Sequence, residues 1–137
     1  MIYYELSGET PSKKNSKIFN TKTHRCFPST KYRTWHDYAE LALRPMIKEC
    51  IENKCYIILV FCHEDNIRRD SDNGVNSIFD MLQDLTAIAD DRWQIVRQHC
   101  VFNTYEKGNA WCKIYIFKPE EKEDYKRMVL NCIDKYD

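Results

Sequence analysis

Residues 56–62 read Tyr-Ile-Ile-Leu-Val-Phe-Cys, an apolar run with no polar residue in alternate positions. A strand with one wet face alternates apolar and polar side chains, so this run predicts a strand covered on both faces. Such a strand lies inside a sheet and obliges the flanking segments to supply neighbours and covering helices. Ile2, Tyr4 and Leu6 alternate as a half-buried strand over 2–6. Ile18-Phe19 and Cys26-Phe27 bracket 20–24 as a short hairpin. Tyr32, Trp35, Ala39, Ala42, Leu43, Met46, Ile47 and Cys50 recur at helical spacing across 31–51. Ser29 or Thr30 can cap that helix, and Pro45 should kink or interrupt it.

After the central strand, Val75, Ile78, Phe79, Leu82 and Leu85 form the buried stripe of a helix over 72–85. Its other side carries Asp72, Asn76, Asp80 and Asp84, each four residues on from the last. Residues 95–105 and 111–117 read as two strands joined by the turn Glu106-Lys107-Gly108-Asn109. Pro119 opens a last helix over 119–136, with Met128, Val129, Cys132, Ile133 and Tyr136 as its inner face. The expected architecture is one α/β (α+β) domain across residues 1–137, a mixed sheet packed by about three helices.

The formal net charge is zero, yet the charges are segregated. From Thr10 to Trp35 there is no acid, while Lys13, Lys14, Lys17, Lys22, Arg25, Lys31 and Arg33 all fall there. A block of like charge marks either an anion-binding arm or a solvated loop. No apolar run approaches the roughly 20 residues of a membrane span, and the polar N-terminus lacks the apolar core of a signal peptide. The seven cysteines are odd in number and contain no Cys-x-x-Cys pair. Reduced thiols in a reducing cytoplasm are the expectation.

The acids have their own pattern. Arg68-Arg69-Asp70-Ser71-Asp72-Asn73 stands at the mouth of the helix over 72–85, and Asp90-Asp91 follows it. Carboxylates gathered in one place repel each other, and a hard divalent cation is the economical way to hold them. That helix is about 20 Å long, so the loop after it must fold back for Asp91 to reach Asp70. Asn73-Gly74 alone would suggest a tight hairpin turn, but the helical stripe that follows is too regular. An EF-hand reading puts Arg69 at the first ligand position, which defeats calcium. Capping explains Asp72 only. Three glycines in the whole chain leave no phosphate-binding loop or dinucleotide fingerprint. His24, His36, His63 and His99 are scattered; His63 and Glu64, at the end of the central strand, are placed to support an acidic site, and Trp93 neighbours Asp91.

With these residues in view, the chain resembles the RusA family of Holliday junction resolvases, small Mg²⁺-dependent endodeoxyribonucleases of bacteria and prophages. That family carries Asp-x-Asp-Asn at a helix start, a further Asp in the helix and an Asp-Asp pair after it. Here these are Asp70-Ser71-Asp72-Asn73, Asp80 and Asp90-Asp91, followed by Trp93 and Ile95, with Pro11-Ser12-Lys13-Lys14 upstream. The resemblance spans residues 2–118. It implies a homodimer that binds four-way DNA junctions in recombination and repair, each subunit cutting one strand. It further implies Asp70, Asp72 and Asp91 as metal-binding catalytic carboxylates for Mg²⁺, with Mn²⁺ as a substitute, Asp90 beside them and Asp80 in support. Lys13, Lys14, Lys17 and Arg25 would contact the DNA backbone. One position departs from the family: Asn76 stands where a lysine is usual, leaving Arg68 or Arg69 to supply positive charge. Two other readings stay open, a junction-binding protein without cleavage and a Mg²⁺-dependent nucleotide phosphohydrolase.

Overall fold

The apolar run lies at the centre of the molecule. In chain order the strands are β1 (Ile2–Ser7), β2 (Lys17–Asn20), β3 (Arg25–Pro28), β4 (Cys55–His63), β5 (Val96–Tyr105) and β6 (Trp111–Phe117). The helices are α1 (Thr30–Leu43), α2 (Asn73–Asp84) and α3 (Lys122–Lys135). The computed structural model describes residues 1–13 and 17–137; Lys14, and the side chain of Lys17, lie outside that description. β4 pairs parallel with β5 on one side and antiparallel with β6 on the other, and β1 completes the mixed sheet in the order β1-β6-β4-β5. β2 and β3 form the separate hairpin.

Period-two alternation along β4 sends its side chains to two cores. Ile57, Leu59 and Phe61 pack with α1 and α2, whereas Tyr56, Ile58 and Val60 pack with Tyr125 and Cys132 of α3. Every β4 residue from Cys55 to Cys62 is buried, at about 1.5–3 kcal/mol for each large apolar side chain removed from water. Rows run straight across the sheet: Tyr4, Ile114, Leu59 and Val101 stand side by side toward α1 and α2. The parallel pairing of β4 with β5 requires a crossover, and α2 is that crossover. Its stripe of Val75, Ile78, Phe79, Leu82 and Leu85 is buried as the spacing predicts. Gly74, in the first turn, lets the helix start lie against Phe61: a Cβ there would meet the Phe61 ring at 2.9 Å.

The structure departs from the expected elements in three places. α1 stops at Leu43; Pro45 sits in a single 3₁₀ turn, Arg44–Met46, and the chain then leaves helical geometry, so Met46 and Cys50 are exposed. Ser29 is the cap, its Oγ accepting the Tyr32 N–H at 3.2 Å. The strands over 95–105 and 111–117 are joined by the expected turn but do not pair, because β4 lies between them. The turn instead straddles the end of β4, with the Glu106 N–H on the His63 carbonyl at 3.1 Å and the Gly108 N–H on the Glu64 carbonyl at 2.9 Å. On α3, Tyr125 joins the inner face, whereas Ile133, expected there, is 52% exposed. All seven cysteines are unbridged, Cys26 and Cys50 on the surface. Among the described residues, no helix is long and apolar enough to cross a membrane.

Gly74→Ala should force a methyl group into the Phe61 ring and lose about 1–3 kcal/mol of stability, as overpacked cores do. Urea denaturation checks this. Phe61→Leu, which opens that space, should make the double variant more stable than the two single losses add to.

Candidate functional site

Ser77 is fully buried and polar, and it organises the surface above α2. Its hydroxyl donates to the Pro11 carbonyl at 2.5 Å and accepts the Lys13 N–H at 3.0 Å. This clamps the start of the basic segment onto the helix. Lys13 then reaches Asp80, Nζ to Oδ2 at 3.1 Å, and lies 5.6 Å from the centroid of the Tyr32 ring. The lysine expected to meet DNA is therefore ion-paired, and a phosphate must compete with Asp80 for it. Tyr32 is buried, and its hydroxyl has no hydrogen-bond partner among the described residues. Burial, then the charges of Asp80 and Asp84, pushes its phenol up to about 12.

The carboxylates divide between the two connections of α2. Asp70, exposed in the loop after β4, accepts the Asn73 N–H on its carbonyl at 3.2 Å. It lines a cleft of about 200 Å³ with Glu9, Ser12, Lys31, His63 and Arg69. Asp72 occupies the N-cap position, but its side chain makes no capping bond. The physical reason is its backbone, φ −90° and ψ −11°, which is already helical, whereas a capping residue needs extended geometry. Its carboxylate stands exposed at a neighbouring groove with Asn76, Phe79 and His99.

Asp90 and Asp91 lie in the connection from α2 back to β5. Asp90 Oδ1 accepts the Arg92 N–H at 3.1 Å, closing that loop. Asp91 is exposed as a residue, yet its carboxyl is held above the ordinary range. Partial loss of hydration is the first cause, followed by a hydrogen bond with Asp90 and the like charges of Asp90 and Asp80. The charge of Asp80, one turn before the end of α2, thus reaches Asp91. Among the described residues, the trio of His, Cys, Asp or Glu with all ligand atoms within 4.8 Å is His36, Asp37 and Glu40, not Asp70, Asp72 and Asp91. Two of that trio are already answered within the protein, His36 by Asp84 at 2.8 Å and Glu40 by Arg44 at 2.8 Å.

Sequence reasoning missed the network under the cleft. The His63 ring bridges Glu9 (Nδ1 to Oε2, 2.9 Å) and Asn103 (Nε2 to Oδ1, 2.9 Å). Arg69 binds Asp65 at 2.6 Å and Glu9 at 3.4 Å, and the guanidinium holds the Asp65 carboxyl below the usual carboxylate range. Arg69 is thus committed to structure and does not replace the charge absent at Asn76, which is exposed on the same side of α2 as Asp72. Arg68 is exposed. Glu9 lies 54 residues from His63, and no periodicity points to it. Arg25 is exposed on the hairpin, alongside exposed Phe19 and Phe27.

The carboxylates that act on one another are Asp90, Asp91 and Asp80, a hard-oxygen set of the kind a divalent cation takes, while Asp70 and Asp72 stand apart at the other end of α2. The chain matches no protein-family model and no curated protein.

Because the folded-state pKa of Asp91 lies above its unfolded value, ionising it weighs against the fold. That cost is absent below about pH 4, the ordinary carboxylate range, and grows as pH rises through the raised value. Asp91→Asn should raise the thermal midpoint at pH 7 by more than at pH 3.5, as scans at the two pH values would show.

Proposed function

We propose that the chain is a Mg²⁺-dependent, structure-selective endodeoxyribonuclease that resolves four-way DNA junctions as a homodimer, the activity that the RusA resemblance implies. The observation that carries this reading is the placing of exposed carboxylates at both ends of α2, beside a basic segment clamped to that helix through Ser77. Mg²⁺ keeps most of its waters and needs only one or two protein carboxylates, which either connection of α2 offers. Asp70 and Asp72 would hold one ion before α2 and Asp91 a second after it, with Asp90 shaping the loop through the Arg92 N–H and Asp80 tied to Lys13. When bound, the ion supplies polarisation of the scissile phosphate and a water of lowered pKa.

The chain's own residues position the polymer. Arg25 and Lys22 on the exposed hairpin, and Lys31 at the rim of the cleft, supply charge for backbone phosphates. Contacts of that kind give affinity that falls steeply with salt and little sequence preference. Asp70 lines two adjoining clefts, of about 200 and 590 Å³. Asn76 favours a second reading, a junction-binding protein of the same fold that does not cut, since no lysine stands on that helical face.

Synthetic four-way junctions with matched linear duplex decide between these. Asp70→Asn, Asp72→Asn and Asp91→Asn should each lower Mg²⁺-dependent cleavage by about 100-fold or more, an order set by other preorganised electrostatic groups, while junction binding is kept or strengthened. Cleavage at the native rate by all three would overturn the assignment. Binding without nicking by the native chain, in both Mg²⁺ and Mn²⁺, would establish the second reading.

A further inference from the structure

We propose that Trp93 and Arg97 form a platform that stacks one unpaired nucleobase and holds its phosphate beside Asp90 and Asp91; this rests on the reading of the chain as a DNA-binding protein. The three tryptophans have different surroundings. Trp35 is buried in the core under α1, Trp111 is half-buried against the α3 side of the sheet, and Trp93 is 66% exposed. An indole left in water in this way is not held there by apolar packing, yet its position is well defined. The loop that carries it is closed by the Asp90 carboxylate on the Arg92 N–H, and by the Ile95 and Val96 N–H groups on the Arg92 carbonyl, both at 3.0 Å. Ile95, two residues on, is anchored in the core.

Arg97 supplies the second half. The pairing of β4 with β5 passes from Cys55–Val96 directly to Tyr56–Gln98, so Arg97 is an extra residue with no partner opposite. A bulge of this kind re-aims a side chain away from the ladder. Here it sends the guanidinium over the indole, 5.4 Å from the ring centroid. The pairing restrains the ring and sets a cation over one of its faces. Arg92 adds an exposed charge in the same loop.

An aromatic face with an adjoining guanidinium matches a nucleotide in both of its parts, base and phosphate. Stacking tolerates any sequence, because every base has a π-face. It does require an open base face, which a continuous duplex hides and a branch point, strand end or single strand presents. Trp93 lies two residues from Asp91, so a base on the indole brings its own flanking phosphodiester toward the carboxylates. The platform thereby selects for unpaired DNA at the place where cleavage is proposed.

The experiment measures binding of a single-stranded oligonucleotide, a four-way junction with unpaired central bases and a blunt duplex by fluorescence anisotropy. Calcium replaces Mg²⁺ to suppress cutting, and sedimentation is followed in parallel. Trp93→Ala should weaken binding of the first two about 5- to 150-fold, the range for loss of one base–aromatic stack, and change duplex binding less than about twofold by the same logic. Trp93→Phe should retain most of the affinity. Arg97→Gln should lower the salt slope by about one phosphate contact. Equal losses on all three substrates, or no loss on any, would overturn the platform without overturning the reading of the native chain as a junction binder. A fall in sedimenting mass for Trp93→Ala would also overturn it, identifying the indole as part of a contact between copies of the chain. A native chain that binds none of the three substrates would sink both the nuclease reading and the platform.

Discussion

A strand that is buried on both faces and hydrogen-bonded on both edges leaves little freedom to what surrounds it. β4 is such a strand, and its parallel pairing with β5 is the arrangement from which the rest follows. Parallel neighbours cannot be joined by a tight turn, so the chain must leave the end of β4, cross the sheet as a helix and return to the start of β5. Two connections result, one before α2 and one after it. All five aspartates of the candidate site lie on α2 or in these connections. The sheet therefore decides the geometry of the acids before any of them interacts with anything.

The charges are then arranged by local needs. Neutrality overall conceals an acidic helix and a basic segment, brought together by the hydroxyl of Ser77 and the Lys13–Asp80 ion pair. The network of Glu9, His63, Asn103, Arg69 and Asp65 does the same at the other end of α2, fastening the loop that carries Asp70. Among the described residues Asp90 and Asp91 have no such partner of opposite charge, and the Asp91 carboxyl is raised by partial loss of hydration first, then by its hydrogen bond with Asp90 and the charges of Asp90 and Asp80.

Much of the fold was legible because its signals are local and strong. The apolar run of β4, the five-residue stripe of α2 and the alternation of β1 each correspond to a buried face. What escaped depends on distant partners. Residues 95–117 read as two strands and a turn, but nothing local says that a third strand lies between them. The inner face of α3 was misjudged at two positions: Tyr125, stacked on Tyr56 at 5.0 Å, belongs to it, and Ile133 does not. Asp72 has the identity of a capping residue without the backbone angles that would let it cap. Glu9 and His63 meet only once β1 and β4 stand in one sheet, and Lys13 becomes a partner of Asp80 only because Ser77 holds its backbone.

The irregularity at Arg97 has a consequence for how the protein behaves in a crowded solution. β5 is the outer strand of the sheet, ten residues whose free edge faces away from β4. A long, flat border of that kind invites another chain to add itself as a further strand. The extra residue near its beginning breaks the regular spacing of donors and acceptors and increases the local twist, and it does so with a charged side chain. The fold thereby shortens its own template for aggregation, and the safeguard lies in the backbone.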